Sequence, residues 1–224
     1  MTIKKVVSTR FIDDVEGLTY QWEPVNDEVT IIKSGKGKNA KYKAGYLVQD
    51  DDPINPAENE DDNLFLVHYH RDFDVRRDKI ITEDDARNWY REEFDDYKND
   101  PDDESEVGKF PLAETYWIFP VSALIHSGVW LSIGNSTHPC DSGGWDTSHV
   151  GLVLVSKSEW PDEDKALEAA KGHVTYWNKY LSGDVYGIVV ETYDYEKNQI
   201  EEDSCWGYYG YEDTKQELKS QLEG

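Results

Sequence analysis

The order of the short apolar segments along the chain is the feature that most constrains its fold. Segments rich in β-branched and aromatic residues outnumber the helical segments and do not alternate regularly with them. A regular alternation would favour a parallel sheet with crossover helices, whereas this order is typical of an α+β fold. The chain is therefore predicted to form a largely antiparallel sheet packed with two to three helices.

Seven strands are predicted from runs of β-forming residues bounded by turn residues. They lie at 18–22, 29–33, 64–70, 116–126, 129–133, 150–155 and 185–195. Apolar residues at helical spacing, together with end signals, predict three helices. These lie at 82–98, 161–181 and 213–222. Thr82 is the predicted N-cap of the first helix, Pro161 is the first residue of the second, and Gly183 ends the second.

The length of 224 residues suits one large domain or two small ones, and it is sufficient to bury a core. Aromatic residues make up 13% of the chain, which indicates a folded protein because disordered chains are poor in them. No internal repeat or low-complexity linker divides the sequence, so a single domain over residues 1–224 is predicted. The alternative sets residues 1–62 apart as an N-terminal subdomain with acidic loops, of which 50–62 is expected to be extended and exposed.

Acidic residues outnumber basic ones by 47 to 23, which gives a formal net charge of −24. The excess is uneven, because residues 1–49 carry +2, residues 50–106 carry −15 and residues 107–224 carry −11. Nucleic-acid affinity comes mostly from phosphates neutralised by Lys and Arg, so this composition disfavours direct binding to nucleic acid. An acidic surface also repels anionic membranes and attracts basic protein surfaces.

An acidic surface also keeps proteins soluble in a saline habitat. Proteins of halophiles usually avoid lysine, however, and this chain has 17 Lys against 6 Arg. Both origins of the acidity stay open at the level of the sequence.

The two cysteines, Cys140 and Cys205, show no CxxC spacing and are too few for a disulfide framework. The first residues, MTIKKVVSTRF, lack the apolar segment of a signal peptide. No run approaches the roughly 18 apolar residues that a membrane span needs. We therefore expect a cytoplasmic protein with free thiols and without a membrane partner.

The segment 137–151, THPCDSGGWDTSHVG, concentrates residue types that carry chemistry. A nucleophilic cysteine needs a histidine that holds it as the thiolate and a polar group that orients the histidine. If the protein is an enzyme, Cys140 is the predicted nucleophile, His149 its base and Asp146 the orienting residue. The competing interpretation is that Asp, Ser and Gly build a tight loop in which the cysteine is a small buried filler.

Other chemistry in the same region has weaker support. His126 and His138 are alternative bases for the cysteine. Zinc could be bound by the side chains of His138, Cys140, His149 and Cys205. Their spacings match no zinc finger, however, so no metal is predicted. Neither GxxxxGK[ST] nor GxGxxG occurs, and no cofactor is predicted.

Four segments carry a family resemblance through their order and spacing. They are 119–128 (FPVSALIHSG), 145–151 (WDTSHVG), 183–187 (GDVYG) and 202–210 (EDSCWGYYG). Together they resemble a set of uncharacterised proteins carried by bacteriophages, plasmids and other mobile elements. The second segment usually runs WDSGQVG in that family, so Thr147, Ser148 and His149 depart from it.

The resemblance covers residues 117–210, inside a family-like core at 110–210, and leaves out the acidic N-terminal half. It implies the cytoplasm of a host cell as the setting. It brings no known activity, so no catalytic residue is carried over.

A small acidic protein of a mobile element is often a counter-defence factor. Such a protein can imitate DNA, because its carboxylates stand in for phosphates in a basic groove. We therefore expect a protein that binds and blocks a basic, nucleic-acid-targeting host protein, with DNA mimicry as the specific form. The acidic residues expected to contact the partner are Asp84, Asp85, Glu92, Glu93, Asp95, Asp96, Asp102 and Asp103. The alternative is a Cys- or metal-dependent hydrolase that uses the 137–151 loop.

Overall fold

The computed structural model describes residues 10–12, 17–70, 81–94, 111–134, 141 and 143–223. The chain divides into two compact units. The first unit consists of Met1–Pro53 and Gly183–Gly224, and the second unit consists of Ile54–Ser182. This division differs from a boundary at residue 62, because the first unit combines two segments that are remote in sequence.

The described residues contain nine strands and three α-helices, numbered in chain order. The strands are β1 (Arg10–Ile12), β2 (Val29–Ser34), β3 (Lys41–Gln49), β4 (Leu64–His68), β5 (Tyr116–Ile125), β6 (Val129–Ile133), β7 (Thr147–Ser156), β8 (Val185–Tyr193) and β9 (Gln199–Tyr209). The helices are α1 (Glu83–Phe94), α2 (Glu163–Leu181) and α3 (Tyr211–Glu223). Neighbouring strands pair antiparallel, in two sheets, which confirms the predicted α+β class.

The first unit has a five-stranded sheet in the order β1-β2-β3-β8-β9. Leu218 and Leu222 of α3 pack on one face of this sheet, in a cluster that includes Leu47 and Ile188. The helix approaches closely at Gly45, where an added Cβ atom would lie 2.8 Å from a methyl group of Leu218. A glycine inside β3 is therefore required by the packing of α3.

The opposite face of this sheet is covered by residues 18–22, which the sequence predicted to be a strand. That prediction is wrong, because the backbone of these residues forms hydrogen bonds with side chains of the sheet instead of with a neighbouring strand. Gln21 N–H donates to Oε1 of Glu191 at 3.1 Å, and the hydroxyl of Tyr193 donates to the carbonyl of Thr19 at 2.9 Å. Trp22 N–H donates to the hydroxyl of Tyr46 at 3.4 Å.

The strands β3 and β8 are neighbours in this sheet although the whole second unit separates them in sequence. Gln49, the last residue of β3, is the register partner of Tyr186. Just beyond that pair, Asp50 N–H donates to the carbonyl of Val185 at 3.0 Å. The two strands therefore form a hairpin whose connection is the second unit.

The second unit has a four-stranded sheet in the order β4-β7-β5-β6, with a helix on each face. One face packs on α2 through a cluster that includes Leu66, Val153 and Trp177. The other face packs on α1 through a cluster that includes Phe65 and Ala86. The predictions for β4, β5, β6 and α2 are close to the observed elements, whereas β1, β3 and β9 were not predicted.

The helix starts show which end signals were correct. Thr82 is the cap of α1, since its Oγ1 accepts the N–H of Asp85 at 3.1 Å and donates to the Asp85 carboxylate at 2.6 Å. The prediction that Pro161 is the first residue of α2 is wrong, because Asp162 caps that helix by accepting the N–H of Lys165. Gly183, with φ of +72°, follows α2 as predicted. No helix in these described segments is both long and apolar enough to cross a membrane.

Candidate functional site

The loop before β7 is organised by one buried carboxylate. Asp141 is 7% exposed, and its side chain accepts the hydroxyl of Thr147 at 2.7 Å and the N–H groups of Trp145 and Asp146 at 3.0 Å each. These hydrogen bonds, that of Thr147 first, lower the pKa of Asp141. The carboxylate therefore acts as the structural centre of a tight loop.

Of the predicted catalytic residues, the structure describes Asp146 and His149, which have different contacts. Cys140 lies outside the described residues. Oδ2 of Asp146 lies 3.6 Å from Nδ1 of His126, and both side chains are exposed. His149, in β7, has other partners than Asp146. The structure thus pairs Asp146 with a different histidine from the predicted one.

His149 instead lies beside two tyrosines. Its Nδ1 shares a hydrogen bond with the hydroxyl of Tyr69, and its ring stacks on Tyr90 of α1, with ring centroids 3.3 Å apart. The guanidinium of Arg87 lies 4.6 Å from the ring centroid of Tyr69, a cation–π arrangement. These four side chains, with Ser148 among their neighbours, line an open cleft of about 430 Å³.

Burial lowers the pKa of His149 to about 4. The imidazole is therefore neutral at physiological pH and is able to accept a proton or a hydrogen bond. In contrast to the predicted role, the described residues provide it with a tyrosine hydroxyl instead of a carboxylate.

Residues 50–62 were expected to form an exposed acidic loop, and part of this expectation is wrong. Pro56 and Ala57 are buried, and the Glu60 side chain is 1% exposed. Oε1 of Glu60 lies 2.7 Å from Nε2 of His173 and accepts the indole N–H of Trp177 at 2.9 Å. Through Oε1, Glu60 anchors this segment to α2.

The acidic residues predicted to contact a partner divide into three groups. Asp84 and Asp85 are exposed in the first turn of α1, where the helix dipole favours carboxylates, and the Asp85 carboxylate also accepts the N–H of Thr82 at the helix start. Glu92 and Glu93 belong to α1, but the structure describes only their backbone. The third group lies outside the described residues and consists of Asp95, Asp96, Asp102 and Asp103.

A further acidic surface lies on β9, which the sequence did not predict to be a strand. β9 is the edge of the five-stranded sheet, and residues 199–207 are exposed throughout. Glu201, Glu202 and Asp203 are consecutive in it, so their carboxylates project from both faces. Among the described residues, no lysine or arginine lies within ion-pair distance of these three. The sequence between Tyr195 and Trp206 contains a run of acids, which is more typical of a loop than of a strand.

The four segments of the family resemblance form two pairs of neighbouring strands. Segments 119–128 and 145–151 meet in the pairing of β5 with β7, where Val121 is opposite Gly151. Segments 183–187 and 202–210 meet in the pairing of β8 with β9, where Trp206 covers Gly187. Much of the pattern therefore has a structural role in the sheets.

Among the residues that the structure describes, no group of three or more His, Cys, Asp or Glu side chains is arranged to hold a metal ion. Comparison of the chain with protein-family models, with curated proteins and with solved structures gives no match. The function is therefore inferred from the chemistry of the surface.

Proposed function

We propose that this protein binds a basic, nucleic-acid-targeting protein of a host cell and blocks it, with carboxylates in the place of nucleic-acid phosphates. The observation that carries the proposal is the formal charge of −24, of which −15 belongs to residues 50–106. A charge of this size speeds the encounter with a cationic groove and slows the encounter with nucleic acid. The resemblance to proteins of mobile elements supplies the host setting.

The described carboxylates support the proposal through their exposure. Asp84 on α1 is exposed and takes no part in the helix cap, so its charge is available to a partner. Asp51 and Asp52 are exposed in the connection that follows β3. By contrast, Glu28 and Glu168 already have lysine partners, Lys215 and Lys171. Exposed and uncompensated acids of this kind suit a partner that provides the missing cations.

The expected energetics follow from many weak contacts. A single exposed ion pair contributes about 0–1 kcal/mol, so neutralising one carboxylate should have little effect. Loss of a cluster should be much more costly. Binding to a basic groove also releases counterions, as DNA binding does, so the affinity should fall steeply as salt rises.

Affinity capture from a host lysate at rising salt tests the proposal. The bait proteins are the wild type and a quadruple variant, Asp95→Asn, Asp96→Asn, Asp102→Asn and Asp103→Asn. A matched control neutralises four acids elsewhere, with Glu159→Gln, Glu163→Gln, Asp164→Asn and Glu168→Gln. We expect a basic nucleic-acid-binding protein on the wild type and the control, eluted by moderate salt, and a much weaker signal on the quadruple variant.

Retention of the same partner by all three baits, with equal resistance to salt, would contradict electrostatic mimicry through this surface. Binding of duplex DNA by the isolated protein at physiological salt would contradict the wider proposal. In that case the lysine-rich segment 33–43 (KSGKGKNAKYK), which includes the end of β2 and the start of β3, would be the first to mutate.

One observation favours the hydrolase as a second candidate, namely the position of His149 beside the hydroxyl of Tyr69 in an open cleft. A histidine that activates Cys140 would lower the pKa of its thiol below the usual 8.5 or so. Alkylation of a Cys205→Ser variant, in which Cys140 is the remaining thiol, tests this. The hydrolase hypothesis requires that Cys140 in the Cys205→Ser variant is alkylated fast at pH 6.5, and that adding His149→Ala slows the reaction. Slow alkylation with and without His149→Ala would exclude it.

A further inference from the structure

We propose that the free edge of β9 is a docking strand, and that its occupant is a basic, extended segment of the partner that adds to the sheet of the first unit. The basic character of the occupant rests on the proposed function. The location rests on the backbone geometry and the side chains of β9.

The backbone of β9 is available along a long stretch. On one side β9 pairs with β8 from Val185 and Tyr209 to Tyr193 and Gln199. On its other side it has no strand partner among the described residues, and every residue from 199 to 207 is exposed. An edge of this kind presents unpaired N–H and C=O groups, which an extended peptide can bind by strand addition.

A bulge limits the regular part of this edge. The register with β8 shifts between Tyr186 and Ile188, and Gly207 has φ of +82°, as a bulge with glycine requires. A second register shift lies between Thr192 and Tyr193, which pair with Glu201 and Gln199. Residues 201–205 therefore form the regular segment, which matches the central five residues of an extended occupant.

The three consecutive acids specify the charge of the occupant. Glu201 and Asp203 lie opposite Thr192 and Val190, on the face that packs against α3, while Glu202 lies opposite Glu191 on the other face. Side chains of an added strand alternate in the same way. Three consecutive lysine or arginine residues in the occupant would therefore each lie beside a carboxylate.

A groove on the α3 face suits the shape of a basic side chain. It has a volume of about 480 Å³ and includes Ile188 and Val190, which are 1% and 9% exposed. Glu201 and Asp203 are the acids among its lining residues, and Lys43 is the cation, with its Nζ 3.5 Å from the carbonyl of Gln221. Lysine and arginine bury their apolar stems and keep the charge at the rim, which fits a groove with an apolar floor and acidic edges.

The other face of β9 offers an aromatic surface to the same occupant. Trp206 lies over Gly187 and meets Trp22 edge to face, with ring centroids 5.5 Å apart, and it remains 40% exposed. An arginine beside Glu202 could extend along this indole, since guanidinium groups stack on aromatic rings.

A second copy of this chain suits the edge less well. Antiparallel pairing of two β9 strands about Ser204 would place Glu202 opposite Trp206 and Asp203 opposite Cys205, so no cation would meet an acid. Each copy would also bring a charge of −24. The acids therefore disfavour self-pairing, a common protection of edge strands, and favour a cationic partner.

A synthetic peptide tests the inference directly. The probe is a fluorescent, end-capped heptapeptide with the order threonine, valine, lysine, arginine, lysine, valine, threonine, and binding is followed by anisotropy at rising NaCl. We expect binding to the wild type, and at least tenfold weaker binding to the variant Glu201→Gln, Glu202→Gln, Asp203→Asn. The matched control, Glu163→Gln, Asp164→Asn, Glu168→Gln, should bind as the wild type does.

Two modified peptides separate strand addition from simple charge attraction. One carries N-methyl groups on its odd residues and the other on its even residues, so that charge and composition are nearly unchanged. Only one set of amides faces β9, so we expect one peptide to lose binding and the other to retain it. Equal binding of both would overturn strand addition.

Shielding of Cys205 supplies a readout that does not depend on the variants. Cys205 is exposed in β9, and a Cys140→Ser variant leaves it as the remaining thiol. The bound peptide should slow its alkylation, and an unchanged rate at saturating peptide would contradict docking here. A wild-type dimer in analytical ultracentrifugation, with Cys205 protected from alkylation in the absence of peptide, would assign the edge to a second copy and overturn the inference.

These outcomes are distinct from failure of the proposed function. The host partner could be captured equally by the wild type and by the variant Glu201→Gln, Glu202→Gln, Asp203→Asn, but lost from the quadruple variant of residues 95–103. In that case the proposed function stands and the docking strand is refuted. If the peptide docks on β9 but no basic host protein is captured, the docking strand stands and the proposed function is refuted.

Discussion

Gly187 in β8 leaves room for the indole of Trp206 in the neighbouring strand. A Cβ atom added at Gly187 would lie 2.5 Å from Cε3 of Trp206, which is shorter than any carbon–carbon contact. We predict that Gly187→Ala displaces the indole and destabilises the protein by about 1–3 kcal/mol, the usual cost of overpacking. Chemical denaturation followed by circular dichroism measures the change in unfolding free energy.

Gly172→Ala is the control for this substitution. Gly172 lies in α2, and an added Cβ atom meets nothing within 4 Å, so the change should stabilise the protein by about 0.5–1 kcal/mol. In a Trp206→Leu background, Gly187→Ala should cost less than in the wild type. The same cost in both backgrounds would show that the indole is not the cause.

The imidazole of His149 should make the stability depend on pH. Burial lowers its pKa from 6.5 to about 4 in the folded protein. The unfolded chain therefore takes up a proton near pH 6.5, while the folded protein does so only near pH 4. The contribution to stability is complete above pH 6.5 and is lost as the pH falls to 4. We expect a loss of about 1–2 kcal/mol, since the ring is partly exposed and solvent reduces the effect.

Melting temperatures of the wild type and of His149→Phe between pH 7 and pH 4 test this prediction. Phenylalanine retains a ring that can stack on Tyr90, while the other carboxylates and histidines titrate in both proteins. The wild type should lose more stability than the variant over this range. Parallel curves for the two proteins would refute the assignment to His149.

At the scale of elements, the start of α3 depends on Asp184, the residue just before β8. Oδ1 of Asp184 accepts the N–H of Tyr211 at 3.0 Å, and its carbonyl accepts the N–H of Gly210 at 2.8 Å. We predict that Asp184→Ala destabilises the protein by about 1 kcal/mol, the usual value for a lost helix cap. Asp184→Asn retains an acceptor and should cost much less, as thermal denaturation can determine. An equal loss of stability in Asp184→Ala and Asp184→Asn would show that the effect comes from the charge and not from the cap.

The elements that the sequence predicted well are those whose own apolar pattern matches their environment. β5, β6 and α2 each bury a continuous apolar face, so their periodicity was sufficient. The cap at Thr82 was equally clear, because capping is a local interaction between Thr82 and Asp85.

The elements that the sequence did not predict depend on contacts that are remote along the chain. β9 contains three consecutive acids and a glycine, and it is a strand because β8 supplies a partner. β3 contains Gly45, which only the packing of α3 explains. In the candidate site, His149 was recognised, but its neighbours Tyr69 and Tyr90 come from other elements. Tertiary pairing of this kind leaves little signal in a single sequence.

At the scale of the whole molecule, salt should stabilise the protein at neutral pH. Residues 50–106 carry −15, and salt screens repulsion between such charges over about 8 Å at physiological ionic strength. We expect the melting temperature to rise with NaCl, and to rise less in the variant with asparagine at Asp95, Asp96, Asp102 and Asp103. A flat or falling wild-type melting temperature would mean that these acids are already paired inside the protein.

The hairpin of β3 and β8, with the second unit as its connection, determines the order in which the chain becomes complete during synthesis. The ribosome releases β3 long before β8, and Ile54–Ser182 emerges between them. Closing so long a connection costs little extra free energy, since each doubling of its length adds only about 0.6 kcal/mol, but pairing of remote strands is slow. The second unit can therefore fold while β3 is still unpaired on the edge that β8 later occupies. A chain that stops before β8 would carry a finished second unit and a first unit prone to aggregate.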